Sequence, residues 1–231
     1  MPHTATHIVF PIFDQMTHLD FTGPHQAFSS VPAARVTVAS MGGRDVEAEG
    51  GLTFTGLADL RKVEGCDVIC VPGGPGTSAA MVDEAFLQEV RRLASGVQYL
   101  TSVCTGSLIL GAAGLLRGKR ATTYWAAREL LAPLGAIFED KRVVRDGNLI
   151  TGGGVTAGID FALVAIAEIF GRAAAEAVQL GLEYAPSPPF SAGRPEDASP
   201  ELVSDVRRAE GHSIAKMRAA AEQAARGLKA A

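Results

Sequence analysis

The stretch YLTSVCTGSLILGAAGLL (residues 99–116) changes character at one point. From Tyr99 to Val103 it is apolar and β-branched. From Leu108 onward, Leu108, Ile109, Leu110, Ala112 and Ala113 follow at helical density, with Cys104, Thr105 and Gly106 at the junction. This pattern predicts a strand that stops abruptly and turns into a helix. In an open α/β sheet, such a turn lifts its first residue above the carboxyl edge, where ligands bind. The first helical N–H groups, including those of Thr105 and Gly106, lack partners inside the helix. They and the helix dipole favour a thiolate at Cys104, below the free-cysteine pKa of about 8.5. Gly106, with no Cβ, lets the turn close and lets a ligand approach. A second reading stands beside this one, because a free cysteine is commonly just a small buried hydrophobe. Cys66 and Cys70 have no Thr-Gly turn after them and read as packing residues.

Working outward, apolar β-rich runs recur at residues 7–13, 35–40, 67–74, 98–103 and 148–154, most of them separated by helix-like stretches. That alternation predicts a mostly parallel α/β sheet. DVICV and YLTSV are apolar at nearly every position, as central strands covered on both faces are. DEAFLQEVRRLAS (83–95) is an amphipathic helix, and TAGIDFALVAIAEIF (156–170) is apolar almost all round and predicts a buried one. RVVRDGNLI (142–150) reads as a hairpin in which Asp146 and Gly147 supply positive φ angles. A further helix over 173–185 ends at the breaker APSPPFSAGRP. From about Pro200 the chain is helical with few large apolar residues and reads as an outer arm, with a dimer partner as one candidate surface. One domain over 1–231, including this extension, is expected.

The composition is 47% hydrophobic and 20% charged, with a formal net charge of -4, so nothing attracts a phosphate backbone and nucleic acid is not an expected partner. The first residues lack the features of a signal peptide, and no apolar run approaches about 18 residues, so no membrane association is expected. Three cysteines with no framework spacing suit a reducing compartment, the cytoplasm. No H-E-x-x-H or clustered Cys/His spacing argues for a metal, and TGGGVTAG lacks the spacing and lysine of a phosphate cradle.

SVCTGSLILGAAGLL, with DVICVPGG upstream, resembles the nucleophile elbow of the DJ-1/PfpI superfamily. Within it, LDFTGP (19–24), GKRATT followed by Trp125, LLAPLGA (130–136), VVRDGNLITGGGVTAGIDFAL (143–163) and LEYAPSPPF (182–190) resemble the isocyanide hydratases. The resemblance spans most of the chain. It implies a three-layer α/β/α sandwich of flavodoxin-like type and a homodimer. It also implies cofactor-free addition of water to a small-molecule isocyanide, giving an N-substituted formamide. It makes Cys104 the nucleophile and Asp20 its acid/base partner. The two groups are expected to share a proton and titrate as one unit, giving an ionised sulfur beside a carboxylic acid. The product of the first addition is a thioimidate on Cys104, which water then attacks.

Several candidates carry a structural alternative. Asp20 before Phe-Thr-Gly-Pro also reads as a helix N-cap, a role for which Thr22 competes. Thr105 stands where numerous relatives have histidine and is expected to support the dyad. Gly73 and Gly74 end a central strand; their N–H groups suit charge developing on a substrate, or simply form a turn. Gly153 suits close packing near the cysteine, and Val155 suits an apolar pocket wall. Tyr124 departs from the histidine of many relatives; it and Trp125 either contact substrate or pack. His18 and His25 flank Asp20 in sequence and read as surface or packing residues. The rival functions are glyoxalase-like hydration or amide hydrolysis at the same thiol, and a non-enzymatic ligand or redox sensor.

Overall fold

The computed structural model describes residues 5–230. Seven strands form one sheet: β1 (Thr6–Pro11), β2 (Ala34–Ser40), β3 (Ala58–Asp59), β4 (Val68–Val71), β5 (Tyr99–Val103), β6 (Val143–Asp146) and β7 (Leu149–Gly152). Their spatial order is β6-β7-β5-β4-β1-β2-β3. All neighbours are parallel except the β6–β7 hairpin. The central strands are as the apolar runs require, with every residue of β4 at 0% exposure. Two-residue ribbons, Val46–Glu47 with Thr53–Phe54 and Arg120–Ala121 with Ile137–Phe138, lie outside this sheet.

The helices are α1 (His18–Ser29), α2 (Thr77–Ala80), α3 (Glu84–Ala94), α4 (Gly106–Ala112), α5 (Ala157–Phe170), α6 (Arg172–Gly181) and α7 (Pro200–Ala230). α1, α5 and α6 pack as one layer and α2, α3 and α4 as the other, giving a mostly parallel α/β/α sandwich. α3 shows how locally the pattern is written. Asp83 caps it by accepting from the Phe86 N–H at 3.1 Å, and Phe86, Leu87, Val90 and Leu93 form its buried face.

Two expectations need correction. α5 is buried on one face only: Phe161, Ala162, Ala165 and Ile166 are buried, while Val164 is 37% exposed. In the hairpin, only Gly147 has positive φ (62°). Asp146 is the last paired residue of β6, opposite Leu149, which moves the turn to Gly147 and Asn148. The expected outer arm is α7. It packs against α2 and α4 and across the carboxyl edge of the sheet, burying Met217, Ala220 and Ala221.

Strand order reverses direction at β1 and β4, the crevice where doubly wound sheets place their ligands. Four segments leave the sheet's carboxyl edge around it: the loop from β1 to α1, the Gly73–Gly74 turn after β4, the Cys104 turn after β5 and the glycines after β7.

Candidate active site

Cys104 occupies the turn between β5 and α4 with φ 55°, the left-handed region that disfavours side chains by roughly 1–2 kcal/mol. The surroundings hold it there. Its N–H donates to the Gly153 carbonyl at 2.8 Å and, at 3.1 Å, to that of Gly152. Its own carbonyl accepts from the hydroxyls of Thr123 (3.0 Å) and Ser107 (3.2 Å). On the other side, Gly106 abuts the carbonyls of Val71 and Pro72 with no room for a Cβ. The abrupt strand-to-helix junction therefore becomes a strained elbow that fixes the sulfur at the crevice.

Asp20 is fully buried at the third position of α1. It does not cap that helix. Thr17 stands at the N-cap without a side-chain capping bond, and the Thr22 hydroxyl donates back to the His18 carbonyl at 3.0 Å. One oxygen of Asp20, Oδ2, accepts the Gly73 N–H at 3.0 Å, while Oδ1 has no partner at hydrogen-bonding geometry. The Cys104 thiol, near enough to draw the Asp20 pKa down, is the donor the carboxylate still lacks. Burial dominates nonetheless, raising the Asp20 carboxyl to about 7, with the Gly73 N–H pulling it down and the Glu49 charge adding to the rise.

The thiol does not follow the expectation of a lowered pKa. Burial first, and then the Asp20 charge, push Cys104 well above the ordinary thiol value, while the N–H groups of Thr105 and Val155 oppose that shift. The helix start supplies stabilising donors, but a water-free site with a carboxylate beside the sulfur outweighs them. The dyad therefore holds a single proton from about pH 7 to well beyond pH 9.

Thr105 is buried, and its hydroxyl accepts the Gly74 N–H at 3.0 Å and pairs with the Thr77 hydroxyl at 2.8 Å. A Cβ on Gly73 would lie 2.5 Å from both Thr105 N and Oγ1. The two N–H groups expected to meet substrate charge are thus committed within the site, Gly73 to Asp20 and Gly74 to Thr105.

Beside the sulfur lies a cavity of about 300 Å³, lined among others by Cys104, Thr105, Gly74, Tyr124 and Val155. Trp125 and Gly153 do not line it. They border an adjacent cavity of about 280 Å³ that shares Tyr124 and Val155 with the first. Gly153 acts on the elbow through its carbonyl, and Trp125 packs edge-on to Tyr124 at 5.6 Å. His18 and His25 also stand outside the Cys104 cavity; His25 packs between Phe10 and Phe21.

Pattern reading missed the cavity's outer wall. Ala209, Glu210, Ser213, Ile214 and Met217 of α7 close it, and the Tyr124 hydroxyl donates to Glu210 Oε1 at 2.7 Å. The helical period of the tail was available as a signal, but nothing in it pointed to Cys104 across a hundred residues of chain.

Compared with known proteins, residues 6–168 match the model of the DJ-1/PfpI family. The chain belongs to the DJ-1/PfpI family. A curated relative, the isonitrile hydratase of Pseudomonas putida, is 47% identical over 224 residues, covering 97% of this chain and 98% of the relative. Among solved structures, a ThiJ/PfpI family protein from Pseudomonas syringae superposes with a TM-score of 0.91 at 38% identity, covering 95% of this chain and 92% of that one. DJ-1beta from Drosophila melanogaster gives a TM-score of 0.72 at 25% identity over 79% of this chain and all of its own. The likeness to the two Pseudomonas proteins covers more of the chain than the matched residues 6–168 and reaches into α7.

Proposed function

We propose that this chain is an isocyanide hydratase that forms N-substituted formamides at Cys104, with Asp20 as its proton carrier. The observation that carries this reading is full-length likeness to an isonitrile hydratase, 47% identical over 97% of the chain. The site chemistry supports it: the Cys104 thiol lines a cavity whose lining contains no histidine, and the Asp20 carboxyl lies fully buried against that thiol rather than in the cavity wall.

The singly protonated dyad rests as thiol and carboxylate, and it reacts once the Sγ proton passes to Asp20, giving thiolate and carboxylic acid. Sγ attacks the terminal isocyanide carbon as the Asp20 proton passes to that same carbon, leaving a thioimidate (R–N=CH–S). Water then adds to the carbon while one of its protons goes to nitrogen. Collapse breaks the C–S bond, releases R–NH–CHO and returns the hydroxyl proton to Asp20, restoring thiolate and acid. No leaving group departs in the first addition, so no third catalytic group is needed for it. Amide hydrolysis would require an acid for the departing amine.

Gly73 serves this chemistry by holding Asp20 Oδ2, Thr105 by tying the elbow to the Gly74 turn, and Gly153 by fixing the Cys104 backbone. Tyr124 and Val155 meet the substrate substituent, and Trp125 positions Tyr124. A homodimer, which the family resemblance implies, is testable by sedimentation. Three free cysteines support residence in the cytoplasm, and among the described residues no helix is long and apolar enough to cross a membrane.

The deciding experiment is formamide production from 4-methylphenyl isocyanide by the purified protein and by Cys104→Ala. Turnover by the unmutated protein alone is expected. Folded, reduced protein that turns over no aryl or alkyl isocyanide, but does consume a small aldehyde, would replace this reading with the glyoxalase-like one.

A further inference from the structure

The catalytic cavity combines a nucleophile from the sheet with a wall from α7, and that wall carries a charge. Glu210 is clamped through one oxygen, Oε1, by the Tyr124 hydroxyl at 2.7 Å. The clamp is persistent, because burial and the Glu210 charge push the Tyr124 phenol upward and keep it a donor. With Oε1 held, Oε2 is fixed as well, shielded from solvent and without a hydrogen-bond partner. The Tyr124 hydroxyl is a neutral donor, so this bond holds the Glu210 carboxylate in the cavity wall without neutralising it.

The rest of the lining sharpens the preference. Glu49 is a second carboxylate in the wall, and no Lys, Arg or His accompanies the two. The Thr17 hydroxyl is spent on Glu49 at 2.9 Å, and that of Thr105 on Thr77. A cavity of about 300 Å³ suits an aryl isocyanide with one small substituent. With the isocyanide carbon at Cys104 inside so small a space, the substituent reaches the α7 wall.

Resting on the hydratase reading above, we propose that Glu210 is a specificity-determining residue, selecting isocyanides whose substituent carries a cationic or hydrogen-bond-donating group and disfavouring anionic ones. The preference is a difference between substrates sharing one reactive carbon. It comes from a charge-assisted hydrogen bond on one side and from like-charge repulsion on the other.

The test compares kcat/KM at pH 8 for 4-(aminomethyl)phenyl, 4-methylphenyl and 4-carboxyphenyl isocyanide in the full chain. The aminomethyl substrate is expected to exceed the methyl one by about tenfold or more, and the carboxy substrate to fall below it. In Glu210→Gln the amide oxygen still accepts from Tyr124, but a donor replaces Oε2. The aminomethyl preference should collapse towards one and the carboxy substrate should improve relative to the methyl. Tyr124→Phe, which frees the clamp, should lower the preference partway. Equal use of all three substrates by the unmutated protein, or a ratio that survives Glu210→Gln, overturns the assignment of Glu210. Absence of turnover on all three by the folded, unmutated protein, the methyl substrate included, instead overturns the hydratase reading and takes this one with it.

Discussion

Asp20→Asn should stabilise the fold while abolishing turnover, and the stabilisation should depend on pH in a calculable way. The buried carboxyl titrates at about 7 in the folded chain against an ordinary 3.8. A folded pKa above the unfolded one means that the unfolded state releases its proton first as pH rises. Stability is therefore undiminished below pH 3.8, declines between 3.8 and 7, and is constant above that window. At about 1.36 kcal/mol per pH unit, the full cost reaches about 4 kcal/mol, of which about 3 kcal/mol accrues between pH 5 and pH 8.5. The thiol, held well above its usual value, does not ionise inside that window. Asparagine does not titrate, and its Oδ1 can still accept the Gly73 N–H. Guanidinium unfolding of both proteins at pH 5 and pH 8.5, with thiols reduced, gives the difference directly. The advantage of Asp20→Asn should grow by about 3 kcal/mol on going to the higher pH, equivalent to roughly 6–12 °C in Tm for a chain of this size. An advantage that is flat or shrinks over that interval would refute the account of Asp20 as a desolvated carboxyl.

Other consequences are quicker to check. Because the dyad must lose one proton to react, kcat/KM for 4-methylphenyl isocyanide should fall tenfold per pH unit below about pH 7 and level off above it, measured by formamide release. Gly73→Ala places a Cβ 2.5 Å from Thr105 N and Oγ1, and a loss of about 3 kcal/mol in unfolding free energy is expected from such overpacking. Thr105→Val strands the Gly74 N–H and the Thr77 hydroxyl; the expected loss is about 1–3 kcal/mol by denaturant titration, with slower turnover because the elbow loses its tie.

The parallel sheet was legible because its central strands are apolar at almost every position, a pattern that only two-sided burial produces. The elbow was legible for a related reason: the change of period at Cys104 is abrupt, and Thr105 and Gly106 mark its far side. Asp20 was legible only through family resemblance. Seen locally, an aspartate near a helix start is what capping selects, and its partner Gly73 lies 53 residues away. The sign of the thiol's shift was not legible, because helix starts are written in local sequence whereas burial is a property of the assembled layers. Glu210 was hidden more deeply. Its helix has few large apolar residues, and its bond to Tyr124 spans 86 positions with no spacing rule to announce it.

The wall that α7 contributes is joined to the rest of the chain through a connection exposed throughout residues 185–194. Such a segment is where proteases cut. A single cut there would leave every contact of the helix in place but change what keeps it docked. The intact connection holds the helix near its seat at an effective concentration in the millimolar range, independent of how dilute the protein is. Once cut, the wall becomes a separate molecule, and the occupancy of its seat follows its own dissociation constant. The nicked protein would then lose its closed cavity on dilution and regain it on concentration, a bimolecular dependence imposed on a site whose reactive pair lies entirely on one fragment.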